Sequence, residues 1–211
     1  QFVVSFLGAM VALGLYALAV RLAERRNAPE IALGPMLPHL GIGLLTGVAM
    51  FSAVMGIMAV SGLYDIQAIG PAPAWTPLRR ALQAGVVEEL MMRAVLLRLV
   101  WRAFGPWTAF AVSCAVFGFS HLANPNASVF AAVCIALEAG VMLGAFYVLT
   151  GRIWVSIGVH MAWNFTQGYV FGAAVSGMEP GAAIARSTPN AGLPDWLTGG
   201  TFGPEASFPC M

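Results

Sequence analysis

From Ile31 to Tyr64 the chain contains no Asp, Glu, Lys or Arg, and residues 2–20 form a second uncharged, apolar stretch. Crossing the hydrocarbon core of a bilayer takes about 20 predominantly apolar residues in a helix, a conformation that satisfies its own backbone hydrogen bonds. Stretches of this kind must be buried, and the chain has too little charge to bury them in a water-soluble domain. Charged residues make up 9% of the sequence against 59% apolar, with a mean hydropathy of +0.81. A soluble domain carries about 25% charged residues. Lipid is the solvent that fits. The expected fold class is all-α, a polytopic, multi-pass transmembrane helical bundle integral to a membrane.

Turn and charge signals divide the chain into about six spans, near 2–20, 37–62, 78–101, 107–123, 128–149 and 153–175. Arg21, Glu24, Arg25 and Arg26 stop the first. Pro35 and Pro38 place the start of the second near Leu37, and Thr76-Pro77 suits a helix start after the loop Gly70–Pro77. Gly105-Pro106, Asn124-Pro125-Asn126 and Thr150-Gly151-Arg152 are turns. Residues 1–178 are expected to form the membrane core, and residues 179–211, rich in Pro, Gly and polar side chains, an extramembrane loop. The first stretch has no basic leader and no evident cleavage site, so it reads as a span and not as a signal peptide. A net charge of +1 without basic runs gives no footing for nucleic acid. Cys114, Cys134 and Cys210 share no C-x-x-C spacing and read as ordinary buried thiols.

The third span is unusual, because Glu88, Glu89 and Arg93 lie in its interior. An ionised side chain at the bilayer centre costs about 2.5–3.5 kcal/mol on insertion scales. Glu89 and Arg93, spaced i,i+4 on one helix face, can neutralise each other. Glu88 points about 100° away from Glu89 and is left over. A spare carboxylate beside a satisfied pair has what a general base needs: a fixed position and poor solvation.

Consecutive spans alternate in direction, which sets the depth of the other polar groups. Let side B be the side where the third span begins. Glu88 then lies roughly 12 Å in from Arg80 at about 1.5 Å per residue. His121 sits near the side-B end of the fourth span. Asn164 lies about 11 residues from the side-B end of the sixth span, with His160 one turn deeper. All four are reachable from side B, so a single polar cavity is expected to hold them if their helices are neighbours. Glu88 and His121 can hold and deprotonate a water, while His160 and Asn164, i,i+4 on one face, can donate to a developing oxyanion. Singly, each histidine could equally be a packing residue bonded to a neighbouring helix.

Three motifs carry a family resemblance. Glu88-Glu89-Leu90-Met91-Met92-Arg93 stands as E-E-x-x-x-R, Phe117-Gly118-Phe119-Ser120-His121 as F-x-x-x-H, and His160-Met161-Ala162-Trp163-Asn164 as H-x-x-x-N. In this order, each within a hydrophobic span, they resemble the CPBP intramembrane proteases, which include CAAX prenyl endopeptidases and bacteriocin-processing or immunity-type relatives. The resemblance covers about residues 78–170. It implies an intramembrane endopeptidase of glutamic type, with Glu88 and His121 positioning the water, His160 and Asn164 forming the oxyanion site, and Glu89 and Arg93 in support. The implied partners are a peptide or protein substrate at the membrane and the lipid bilayer, and the implied location is a bacterial-type inner (plasma) membrane. Family members usually carry more spans, so one is expected before Gln1 and one after Met211, with Gly199–Ser207 as a lead-in to the latter. A CAAX substrate is not implied, because many relatives occur where proteins are not prenylated.

Other features stay open at this level. Glu138, roughly 15 Å in from side B on the fifth span, either lines the cavity or is a hydrogen-bonded packing residue. His39 suits the interface, Gly140 and Gly144 suit close helix packing, and Met91 and Met92 suit packing. Two histidines and a glutamate are also zinc-ligand types, but H-E-x-x-H is absent and the groups are spread over three helices. No cofactor is the favoured reading, with zinc left open. Arg21, Arg25, Arg26, Arg98, Arg102 and Arg152 lie opposite side B, against Arg79, Arg80 and Arg186 on it. The positive-inside rule would put side B outside, whereas the prenyl-protein resemblance asks for the reverse. Two other functions compete: a non-enzymatic membrane scaffold or immunity-type protein of the same fold, and a transporter or proton relay. The latter lacks a repeated half.

Overall fold

The computed structural model describes residues 1–211. Helix α1 (Phe2–Ala19) runs on into a π-helical turn, Val20–Glu24, and α2 spans Met36–Val60. Next, α3 (Trp75–Glu89), a π-helical stretch (Leu90–Leu97) and α4 (Arg98–Phe104) join end to end as one rod, residues 75–104. Gly105, at φ +84°, makes the turn into α5 (Pro106–Ser120), whose first position takes the proline that needs no N–H partner. A second composite rod follows: α6 (Val129–Ile135), a π turn (Ala136–Gly140) and α7 (Val141–Thr150). Ser128 caps it by accepting the Ala131 N–H at 3.0 Å. Gly151, left-handed at φ +63°, ends it. Helix α8 (Trp154–Phe165) continues as the π turn Thr166–Val170, and a short α9 covers Asp195–Thr198.

The chain is an integral membrane protein, almost wholly helical, and four of its helices are long and apolar enough to cross a bilayer: Phe2–Glu24, Met36–Val60, Pro106–Ala123 and Val129–Thr150. That is fewer than the six expected. The other two are the rod 75–104, which carries Glu88, Glu89, Arg93, Arg98 and Arg102, and the short helical run 154–170. Their polarity has a packing reason. Helix α8 is the central element, buried on nearly every face by α2, α3 and α7. Protein, not lipid, surrounds its His160.

Glycines set how closely the neighbours approach α8. A Cβ on Gly43 of α2 would lie 2.4 Å from the Val155 carbonyl oxygen, and one on Gly47 2.5 Å from that of Val159. On the α3 side, a Cβ on Gly85 would meet Met161 Cγ at 2.5 Å. These bare positions let the helix backbones touch. Gly85 lies one turn before Glu88 and Glu89, so the same close approach brings that acidic pair beside His160. On the far side of the bundle, Gly118 of α5 meets Ala132 and Ala136, while Gly140 meets Cys114 and Gly144 meets Phe110. The Gly140/Gly144 pair is therefore packing.

Opposite side B, α1 is tied to the rod 75–104 by ion pairs. Glu24 takes Arg98 at 2.6 Å and also Arg102, and Glu30 takes Arg26 at 2.8 Å and the Tyr16 hydroxyl. On side B a two-stranded antiparallel sheet departs from the all-α expectation: β1 (Tyr64–Ala68) pairs with β2 (Ala185–Pro189), from Tyr64 opposite Pro189 to Ala68 opposite Ala185. After α9 the chain folds back onto α6, burying Phe202, Glu205, Ala206 and Ser207.

Candidate active site

Glu89 is fully buried and makes two contacts through one carboxylate oxygen. Arg93 Nη1 donates to Glu89 Oε1 at 3.0 Å, one turn along the same rod, and His160 Nδ1 lies 2.8 Å from that oxygen. A carboxylate paired to a guanidinium only accepts, so the proton of this second bond sits on His160 Nδ1. Arg93, itself fully buried, spends its other terminal nitrogen on the Ala139 carbonyl at 3.3 Å. Its guanidinium carbon lies 4.4 Å from the centroid of the Phe117 ring. These contacts offset part of the cost of burying the charges, while Arg93 Nε and Glu89 Oε2 have no protein partner.

Glu88, next in sequence but turned away, is not part of that pair. Its side chain keeps 38% of its surface exposed, with Oε2 3.9 Å from His160 Nε2. The two ring nitrogens of His160 thus face two different glutamates, one buried and structural, one open to the cavity.

His121 ends α5. Its Nδ1 is 2.8 Å from the Phe117 carbonyl oxygen, which can only accept, so this nitrogen also carries a proton and Nε2 is the free one. The Phe117 ring packs edge-on to both histidines, with centroids 5.0 Å from His121 and 6.0 Å from His160. Phe117 therefore serves all three motifs at once: it holds His121 by its carbonyl, covers Arg93 and wedges His160. Its place in F-x-x-x-H, one turn before the histidine, is the sequence signal for the first of these roles.

Glu88, His121, His160 and Asn164 line one cavity of about 640 Å³. It opens on side B, where Arg79, Arg80 and Glu179 stand around it. The rod 75–104 packs on α5 through residues 90–104 and diverges from it over α3, and this divergence makes room for the cavity. Three of the four π-helical stretches, Leu90–Leu97, Ala136–Gly140 and Thr166–Val170, begin just after Glu89, just before Glu138 and just after Asn164. Widened turns of this kind are frequent at functional sites, and no residue pattern announces them. Ser176 and Glu205 also approach the histidines from the segment after α8, and nothing in their local sequence marks them. No group of three or more His, Cys, Asp and Glu side chains is arranged to hold a metal ion.

Residues 70–166 match the family described as type II CAAX prenyl endopeptidase, Rce1-like. The matched stretch contains all three motifs, Glu88–Arg93, Phe117–His121 and His160–Asn164, agrees with the resemblance they carry, and supports a protease acting on a protein substrate at the membrane. Comparison with curated proteins and with solved structures gave no match.

Proposed function

We propose that the chain is an intramembrane endopeptidase that hydrolyses a peptide bond with a water activated by Glu88. The observation that carries this reading is that Glu88, His121, His160 and Asn164, from three separate helical elements, line one cavity, while Glu89 and Arg93 lock His160 from behind.

In this reading the Glu88 carboxylate takes one proton from a water in the cavity, and His121 Nε2 accepts a hydrogen bond from the other. The water oxygen bonds to the scissile carbonyl carbon, and the carbonyl oxygen becomes an oxyanion. Asn164 donates to it through its side-chain amide. His160 already commits Nδ1–H to Glu89, so it donates through Nε2 only as an imidazolium. Collapse of the tetrahedral intermediate breaks the C–N bond, and Glu88 returns its proton to the leaving amine. Arg93 holds the Glu89 oxygen in place as the acceptor for His160 throughout.

Cleavage of a fluorogenic membrane-peptide library by the purified protein tests this, with wild type set against Glu88→Gln. Wild-type cleavage that the variant lacks is the expected result. Equal cleavage by both removes the mechanism, and a partner-binding function insensitive to Glu88→Gln would favour the scaffold reading instead.

A further inference from the structure

Behind the two histidines lies a second, smaller space that the mechanism above does not use. It measures about 20 Å³ and shares His121, His160, Asn164, Phe117 and Ser176 with the wall of the main cavity. A space of this size holds one water molecule when two to four polar groups surround it. Two carboxyl groups line it, Glu138 from the π turn Ala136–Gly140 and Glu205 from the turn Pro204–Ala206, with no Arg or Lys in its wall.

Both glutamates are placed with care. Glu138 is 7% exposed, and neither carboxyl oxygen has a hydrogen-bond partner among the protein groups. Glu205 is 4% exposed, and its Oε2 accepts from the Ser176 backbone N–H at 2.7 Å and the Ser176 hydroxyl at 3.1 Å. Ser176 sits in the left-handed region at φ +48°, a conformation that costs a non-glycine residue and persists where contacts enforce it. The chain thus folds its C-terminal segment back against α6, and the bent serine holds Glu205 in the wall of the space that Glu138 also lines. Burial pushes the Glu205 carboxyl above its ordinary range, against the pull of its bond from Ser176.

Resting on the hydrolytic reading above, we infer that Glu138 and Glu205 share one proton and together hold a water in this chamber, which positions His121 and Asn164 for the reaction. Two carboxyl groups lining one small, largely buried space disfavour ionising together. The shared proton gives Glu138 a hydrogen to donate, and the water supplies partners for its bare oxygens. The other titratable or charged groups around the pair are His121 and His160 in the wall, Cys134 on α6, Tyr64 of β1 and Cys210 in the returning segment, and Arg93 on the Ala139 carbonyl. Glu138 and Glu205 are positioning residues, because they act on substrate only through the chamber water and the side chains it touches.

The test compares Glu138→Leu, Glu138→Gln and Glu205→Gln with wild type. Glu138→Leu should lower kcat at least about tenfold with KM within about twofold, and Glu138→Gln, which keeps a donor and an acceptor, should restore kcat to within about threefold near neutral pH. Removing one acid by Glu205→Gln should also move the alkaline limb of the kcat profile. A leucine variant with wild-type kcat and pH profile, or a glutamine variant no better than leucine, overturns the inference. Should Glu138→Leu fail to insert, the glutamine variants and infrared spectroscopy decide. A protonated-carboxyl C=O band should be present in wild type, lost in Glu138→Gln, and titrate at a different pH in Glu205→Gln. Absence of any such band overturns the shared proton. An inactive wild type or an active Glu88→Gln counts against the hydrolytic reading, and the infrared measurement then judges the carboxyl pair alone.

Discussion

His160 Nδ1 donates to Glu89 Oε1 across 2.8 Å, onto the same oxygen that Arg93 holds at 3.0 Å. This one acceptor fixes the tautomer of His160 and its ring orientation. A glutamate that never faces the cavity therefore controls a group that does.

Replacing Glu89 by Gln should accordingly disable the site without emptying it. The amide can present its nitrogen to His160 and no longer supports an imidazolium, so kcat is expected to fall by about 10²–10⁴-fold, as happens when a histidine loses the acid that orients it. Arg93 is left as an uncompensated buried charge, and stability should fall by about 3–5 kcal/mol. Steady-state kinetics and thermal unfolding in detergent measure the two effects separately.

Asn164→Ala should act on the transition state alone. Loss of one oxyanion donor costs about 10²–10³-fold in kcat, and KM should change by less than about threefold if substrate binding does not use that donor. A rise in KM at constant kcat would reassign Asn164 to substrate binding.

The contact between α2 and α8 predicts a contrast between two glycines on one helix. Gly43→Ala drives a methyl group to 2.4 Å from the Val155 carbonyl oxygen, so it should cost about 1–3 kcal/mol and shift the helix that carries His160. Nothing lies within 4 Å of a Cβ on Gly41, and Gly41→Ala should leave stability within about 1 kcal/mol of wild type. Unfolding midpoints of the two variants provide the comparison.

Much of this site was legible because depth in a membrane helix is residue count multiplied by a fixed rise. Glu88, His121, His160 and Asn164 could be placed at compatible depths from span boundaries alone, and the Glu89–Arg93 pair follows from i,i+4 spacing. Helix neighbours could not be read that way. That α8 lies against both α2 and α3 depends on Gly43, Gly47 and Gly85, which resemble any other glycines until their partners are known. Glu205 was out of reach because it sits in an aperiodic segment and its partner Ser176 is distant in sequence. The β1–β2 pair was missed for a similar reason: each strand has five residues, and the burial of β1 does not alternate. The rod 75–104 and the run 154–170 read as spans because they must traverse the bundle, yet their charges need only protein neighbours.

The ion pairs opposite side B give a pH prediction. Burial alone would raise the Glu30 carboxyl, but hydrogen bonds from Arg26 and Tyr16 outweigh it and hold Glu30 below the ordinary carboxylate range. A carboxyl depressed in the folded state contributes stability that is complete above its unfolded value, about 4.3, and is lost as pH falls through the folded value. Glu30→Gln should therefore cost about 1–3 kcal/mol at pH 7, and the gap to wild type should close on acidification below about pH 4. Unfolding in detergent across that range tests the sign, which would be wrong if the gap widened in acid.

The central claim is that Glu88 activates the water, and it is tested most directly by peptide cleavage with the purified protein, wild type against Glu88→Gln, with and without a chelator. The account predicts cleavage by wild type, cleavage by wild type under chelator, and a loss of at least about 10²-fold in Glu88→Gln with the protein still inserted and folded. Cleavage by Glu88→Gln at the wild-type rate would contradict it, and cleavage abolished by chelator and restored by zinc would move the activation of water from the glutamate to a metal.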